Sequence, residues 1–170
     1  MTRPRVLVVM GVSGSGKTVV AEAMAARLHW AFQEGDALHP AANVAKMHAG
    51  TPLTDADRWP WLDIVAAWID ARLAAGENGI VTCSALKRAY RDRIVGQRAG
   101  VRLVYLYGSH ELLSARIAAR QGHFMPASLL DSQLATLEPP GADECPIALD
   151  VAATPDQLAD RVVAALAGEP

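Results

Sequence analysis

Two stretches concentrate polar chemistry in an otherwise apolar chain. The first, Gly11-Val12-Ser13-Gly14-Ser15-Gly16-Lys17-Thr18, fits G-x-x-x-x-G-K-[ST] at every defined position. Glycines let a backbone wrap a phosphate, so that the N–H groups near Gly14, Ser15, Gly16 and Lys17 point inward. A helix starting there adds its positive dipole end. Lys17 is then in reach of β- and γ-phosphates, and the Thr18 hydroxyl is placed to hold Mg²⁺. The second stretch, GDALHPAANVAKM, brings together an acid, an imidazole, an amide and an amine: Asp36, His39, Asn43 and Lys46. Pro40 suits the first turn of a helix, on which Asn43 and Lys46, three apart, share a face. Amide and ammonium together suit a polyhydroxylated, anionic ligand. A metal site is a poor fit, because His39 and His48 lack H-x-x-x-H spacing and no cysteine lies near them.

The elements that must position these groups follow from hydrophobic patterning. Residues 6–10 form a continuous aliphatic run ending at Gly11, which predicts a strand buried on both faces, as in a parallel sheet. Helical spacing of Val20, Met24 and Leu28 predicts a helix over 17–28, followed by a short strand at 31–34. Asp55 is expected to cap a helix whose inner face carries Leu62, Val65, Ile69 and Leu73, with Gly76 as its stop. Further strands are predicted at 80–83, 101–107 and 147–151. Helices are predicted over 86–98 and 110–120, and Leu158, Val162 and Leu166 give a closing helix its buried face. Strands alternating with helices predict an α/β protein: a three-layer fold with a five-stranded parallel sheet covered on both sides. No repeat or linker divides the chain, so residues 1–170 are expected to form a single domain.

Bulk properties exclude several function classes. The 170 residues carry a net charge of −2 with no long block of one sign, which argues against nucleic-acid binding through a basic face. Two cysteines are too few for a disulfide framework and lack metal-type spacing; they read as small apolar residues in a reducing cytosol. The N-terminal apolar run is too short to span a bilayer, so the expectation is a soluble, cytoplasmic protein.

Motif and context together predict that the first stretch binds a nucleoside triphosphate. A switch GTPase would need a base-reading motif such as N-K-x-D, and the sequence has none. The third strand ends IVTCSALKR, without the acid that usually holds Mg²⁺ in a mechanical ATPase. Transfer to a small acceptor fits better. Arg116 and Arg120, four apart on one helix face, precede Gly122 and His123, as in a mobile lid over about 116–126. Arginines closing over a transferring phosphoryl group stabilise its charge and exclude water.

Asp36 falls at the carboxyl edge of the second predicted strand, where open α/β sheets bind ligands, with the phosphate loop ending the neighbouring strand. There it is the candidate for orienting an acceptor hydroxyl and taking its proton, with a water-mediated contact to Mg²⁺ as a second role. Basic residues recur at Arg58, Lys87, Arg88 and Arg91, with Lys87 and Arg91 four apart on the helix predicted after the third strand, and such a cluster implies a carboxylate or phosphate on the acceptor.

The phosphate loop, GDALHPAANVAKMHAGTPLTDADRWPWL, CSALKRAYRD, GHFMPASLLDSQLATLEPP and ADE, in that order, resemble the gluconokinase family. Its members are small ATP-dependent sugar-acid kinases with a fold of the shikimate kinase and nucleoside monophosphate kinase type. The resemblance implies transfer of the γ-phosphate of MgATP to the 6-hydroxyl of D-gluconate, with a substrate-binding insertion over about 36–76. It implies that Asp36 faces the acceptor hydroxyl while His39 and Lys46 line the sugar-acid pocket. Arg58, Lys87 and Arg91 become candidates for the carboxylate or hydroxyls, with His123 and Gln133 as further pocket residues. Arg120 becomes the lid arginine, Arg116 an adenine or phosphate neighbour, and Thr154 and Pro155 part of the loop bordering adenine. A homodimer is also implied. Ala37 stands where many relatives carry a second acidic or polar residue, so Asp36 is expected to act without a companion carboxylate. Two rival readings remain open at this point: a kinase for shikimate or another sugar acid, and a nucleotide-binding regulatory module.

Overall fold

A computed structural model describes residues 3–119 and 127–169. In chain order they form β1 (Val6–Met10), α1 (Lys17–Leu28), β2 (Ala31–Gln33), α2 (Ala41–His48), α3 (Asp55–Ala74), β3 (Gly79–Thr82), α4 (Arg88–Ile94), β4 (Val101–Tyr107), α5 (His110–Ala119), α6 (Ala127–Thr136), β5 (Ile147–Asp150) and α7 (Pro155–Ala167). All strand pairs are parallel, and the sheet order is β2-β3-β1-β4-β5.

The two-residue period of a strand divides β1 between two cores. Leu7 and Val9 pack with Val20 and Met24 of α1, Leu113 of α5, and Leu158, Val162 and Leu166 of α7. Val6, Val8 and Met10 pack on the opposite face with Leu62, Val65 and Ile69 of α3 and Ile94 of α4. Every residue of β1 is buried, as a strand covered on both faces must be. The expected three-layer fold with five parallel strands is therefore present. Among the described residues no helix is long and apolar enough to cross a membrane.

Several local expectations need correction. β3 lies between β1 and β2, so the strand leading to Asp36 is not the neighbour of the strand leading to the phosphate loop. The helix after β3 is shorter than 86–98 because Lys87 is extended (φ −100°, ψ 147°) and Gly96 has turned to positive φ. Thr54, rather than Asp55, caps α3: its hydroxyl accepts from the Asp57 N–H while the Asp57 carboxylate accepts from the Thr54 N–H. Arg120 and His123, and most of the lid expected over 116–126, lie outside the described residues.

Candidate active site

The phosphate loop leaves β1 at the carboxyl edge of the sheet and opens α1. Gly14 and Gly16 take φ of 82° and 88°, where L side chains are strained. Gly16 stands at the N-cap of α1 with no side chain capping it, so the first-turn N–H groups are left to an anion. The loop is braced from within, the buried Ser15 hydroxyl donating to the Val12 carbonyl at 2.6 Å. Lys17 Nζ donates to the carbonyls of Gly11 and Val12 at 2.9 and 3.2 Å, which keeps the ammonium over the loop. Gln133, expected in the acceptor pocket, instead grips the loop: its Oε1 accepts from Ser13 N–H at 2.7 Å and its Nε2 donates to Ser13 Oγ at 3.0 Å.

Beside the loop a pocket of about 310 Å³ is lined by Gly14, Gly16, Val19, Arg116, Ala153 and Pro155 among others. Its walls are of the apolar kind that suits a planar base next to a phosphate cradle. The structure thus brings Arg116 and Pro155 together there, with the Arg116 guanidinium donating to the Val151 carbonyl. Thr154 serves the next helix instead, its hydroxyl accepting from the Gln157 N–H and capping α7.

On the acceptor side, a short 3-10 turn (Gly35–Leu38) follows β2. A Cβ on Gly35 would lie 1.8 Å from the Thr82 carbonyl oxygen, so no other residue fits where the turn crosses β3. Gly35 N–H donates to Thr82 Oγ1 at 3.0 Å, and that hydroxyl donates to Glu34 at 2.6 Å. The other oxygen of Glu34 accepts from Thr18 Oγ1 at 2.6 Å. Sequence reasoning missed Glu34, a second carboxylate on the phosphate-loop hydroxyl, where Asp36 was expected to act without a companion. The signal was present as two acids flanking a glycine at a strand end. Asp36, on the other side of Gly35, is exposed. The buried Cys83 thiol reports its surroundings. Burial pushes the thiol up to about 12, the Asp36 carboxylate adds to that rise, and the Lys17 ammonium opposes it. Asp36 and Lys17 thus both lie within electrostatic reach of one buried atom.

α2 and α3 build the next layer. The His39 ring stacks on Trp61, with centroids 4.1 Å apart and planes 18° from parallel, and burial lowers its pKa. Trp61 Nε1 donates to the Gly35 carbonyl at 2.8 Å, which ties this platform to the turn carrying Glu34 and Asp36. Asn43, only 4% exposed, faces both His39 and the Asp57 carbonyl. Lys46 makes a two-pronged contact with the Asp57 carboxylate at 2.9 and 2.8 Å, and this bond holds Asp57 down at about 2. Lys46 is therefore braced by an acid that the sequence did not single out.

Arg58 and Lys87 converge from α3 and the β3–α4 loop onto Tyr90. Arg58 lies 5.8 Å and Lys87 5.6 Å from the centroid of its ring. Both contact Asp55 at 3.5 Å, and the Tyr90 hydroxyl also donates to Asp55. The hydrogen bond from Tyr90 holds the Asp55 carboxyl below its usual range, with Lys87 and Arg58 adding to the effect. The two cations thus share the carboxylate of Asp55. Arg91 is the exception among the predicted cations. Its side chain is 2% exposed, its Nε and Nη2 donate to Glu144 at 2.6 and 3.2 Å, and Nη1 donates to the Ala85 and Leu86 carbonyls. Arg91 is corrected from a ligand contact to a buried brace for the loop that carries Lys87.

Residues 6–140 match a family model described as an AAA domain. A gluconokinase of Gluconobacter oxydans (strain 621H) is 53% identical over 161 residues, covering 95% of this chain and 90% of that protein. The chain belongs to the gluconokinase family. Among solved structures, a gluconokinase from Sinorhizobium meliloti 1021 aligns with a TM-score of 0.84 at 49% identity, over 98% of this chain and 94% of that one. A sugar kinase from Janibacter sp. HTCC2649 aligns at 0.88 and 51% identity, over 96% and 95% of the two chains. Membership in the gluconokinase family makes this chain a kinase that uses ATP, in keeping with the phosphate loop and the pocket beside it.

Proposed function

We propose that this chain transfers the γ-phosphate of ATP to the 6-hydroxyl of D-gluconate, giving 6-phospho-D-gluconate and ADP. The observation that carries this reading is the pair of carboxylates flanking Gly35: Glu34 on the phosphate-loop hydroxyl, and Asp36 on the turn that leads to His39, whose ring both Asp36 and Arg58 face. The acceptor oxygen attacks the γ-phosphorus, the bond to the β–γ bridging oxygen breaks, and Asp36 takes the hydroxyl proton. Lys17 and the N–H groups of the loop stabilise the charge on the transferring group, with Arg120 as the expected lid arginine.

The donor set on the phosphate side suits a hard cation. Thr18 Oγ1 and the Glu34 carboxylate meet at 2.6 Å, and both are oxygen ligands of the kind Mg²⁺ takes. Thr18 and Glu34 would hold the ion, which would supply positive charge to offset that of the phosphates. Glu34 thereby joins Thr18 on the metal side, beside the water-mediated contact expected of Asp36. Glu34→Gln is expected to raise the Mg²⁺ concentration needed for half-maximal rate by about tenfold, the equivalent of about 1.4 kcal/mol. An unchanged Mg²⁺ titration would remove Glu34 from the metal.

Arg58 and Lys87 hold the gluconate carboxylate, and His39 and Lys46 line the hydroxylated chain. The family resemblance also supports a homodimer, which sedimentation of the purified protein checks. The function itself is tested by ADP release measured side by side with gluconate, shikimate and related sugar acids. Gluconate is expected to give the highest kcat/KM. Preference for shikimate would reassign the acceptor, and an ATPase rate indifferent to every acid would favour a nucleotide-binding regulatory module.

A further inference from the structure

The side chain of Asn43 sits between two partners that together dictate its chemistry. Its Nδ2 lies 2.9 Å from the Asp57 carbonyl oxygen. A carbonyl only accepts, so the group facing it must be the amide NH₂ and not the amide oxygen. The same nitrogen lies 3.2 Å from His39 Nδ1. An NH₂ only donates, so His39 Nδ1 must be an acceptor. An imidazole that accepts at Nδ1 is neutral and carries its proton on Nε2.

The surroundings hold this arrangement in place. Asn43 is nearly fully buried, so its two N–H bonds have no water to replace their partners. Asp57 is immobilised by Lys46 and by its reciprocal bonds with Thr54. The imidazole is fixed in plane by Trp61. The charges facing the ring are opposed: Asp36 favours the imidazolium and Arg58 disfavours it, while burial is the largest influence and disfavours it too.

We infer that Asn43 is a positioning residue that fixes His39 as the neutral Nε2–H tautomer, so that the ring offers one directed N–H donor to an oxygen of the acceptor. The inference rests on the reading of this layer as the gluconate side of a kinase site. It also gives Asn43 a role different from direct contact with the sugar acid. Both of its N–H groups are committed, one to the helix that carries Arg58 and one to the ring it orients.

The test is long-range proton–nitrogen correlation NMR on protein labelled in its histidines, with the His39 signals assigned by their loss in His39→Gln. At neutral pH the wild-type ring is expected to show a protonated Nε2 and an unprotonated Nδ1. A predominant Nδ1–H form, or a rapid mixture of both forms, would overturn the inference. In Asn43→Ala the preference should relax toward a mixture, and gluconate KM should rise by about tenfold, as expected for one lost hydrogen bond, with ATP affinity unchanged. A tautomer unaltered in Asn43→Ala would also overturn it. His39→Gln, whose amide nitrogen reaches the place of Nε2, should retain more gluconate affinity than His39→Asn, whose shorter amide reaches only the place of Nδ1. The wild-type spectrum is recorded without gluconate, so a different acceptor would leave the tautomer result intact and be recognised separately.

Discussion

Asp36→Asn is expected to leave ATP bound with near-normal affinity and to lower kcat by about 10²–10⁴-fold, the range for losing a positioned proton acceptor. The amide matches the carboxylate in shape, and the side chain is exposed on its turn, so the fold has little to lose. What disappears is the ability to take the hydroxyl proton as the γ-phosphorus is attacked. Equilibrium binding of an ATP analogue and single-turnover kinetics with gluconate separate the two effects. A variant turning over near the wild-type rate would take Asp36 out of the proton-transfer role and leave it as a hydroxyl contact. Lys17→Ala supplies the contrast, because it should weaken nucleotide affinity and kcat together.

The second large effect is on stability. Arg91→Met is expected to cost about 3–5 kcal/mol, because it leaves Glu144 with only the Gly141 N–H and Arg88 at 3.7 Å, and takes the buried donor from the Ala85 and Leu86 carbonyls. For a chain of this size that corresponds to a fall in Tm of about 6–20 °C. Adding Glu144→Gln to Arg91→Met should recover part of the loss, since the carboxylate that lost its two closest donors is then gone while the Ala85 and Leu86 carbonyls still lack theirs. The pH dependence has a definite sign. Burial pushes the Glu144 carboxyl up, but the bonds from Arg91 and from the Gly141 N–H outweigh it and hold the group below its ordinary 4.5. A depressed carboxyl stabilises the fold above its unfolded value and loses that contribution as pH falls below it. Thermal melts on acidification below about 4.5 should therefore decline less steeply in Glu144→Gln than in the wild type. A Tm unmoved by Arg91→Met would show that the guanidinium carries no structural load.

The sequence made the sheet and the phosphate loop legible because both rest on local patterns. An aliphatic run before Gly11 and a complete G-x-x-x-x-G-K-T leave few alternatives. The order of strands was less legible. That β3 inserts between β1 and β2 depends on long-range pairing such as Phe32 with Ile80, which no local period encodes. In the site, Asp36, His39 and Lys46 stood out by residue type and spacing. Their partners did not. Asp57 looks like an ordinary first-turn acid, yet its carboxylate closes the capping box with Thr54 and pairs with Lys46, and its backbone carbonyl receives Asn43. Arg91 misled for the converse reason. Its i, i+4 spacing from Lys87 suggested a shared face, but Lys87 precedes the helix in extended backbone, so the spacing rule did not apply. Gln133 reached Ser13 across 120 residues of sequence, a contact that only the folded chain brings about.

The close passage of Gly35 over Thr82 also bears on how such a site can diversify. Glu34 is fastened to the sheet and the phosphate loop through Thr82 and Thr18, whereas the layer beyond Gly35 hangs from α3 through the bond between Trp61 and the Gly35 carbonyl. The glycine is therefore a seam between a phosphoryl-transfer module and an acceptor module. Side chains beyond it can drift toward a new sugar acid without disturbing the chemistry behind it. The length of the seam cannot drift in the same way. One residue inserted or deleted between Glu34 and Asp36 would turn one carboxylate away from its partner, so specificity is free to evolve here by substitution but not by indel.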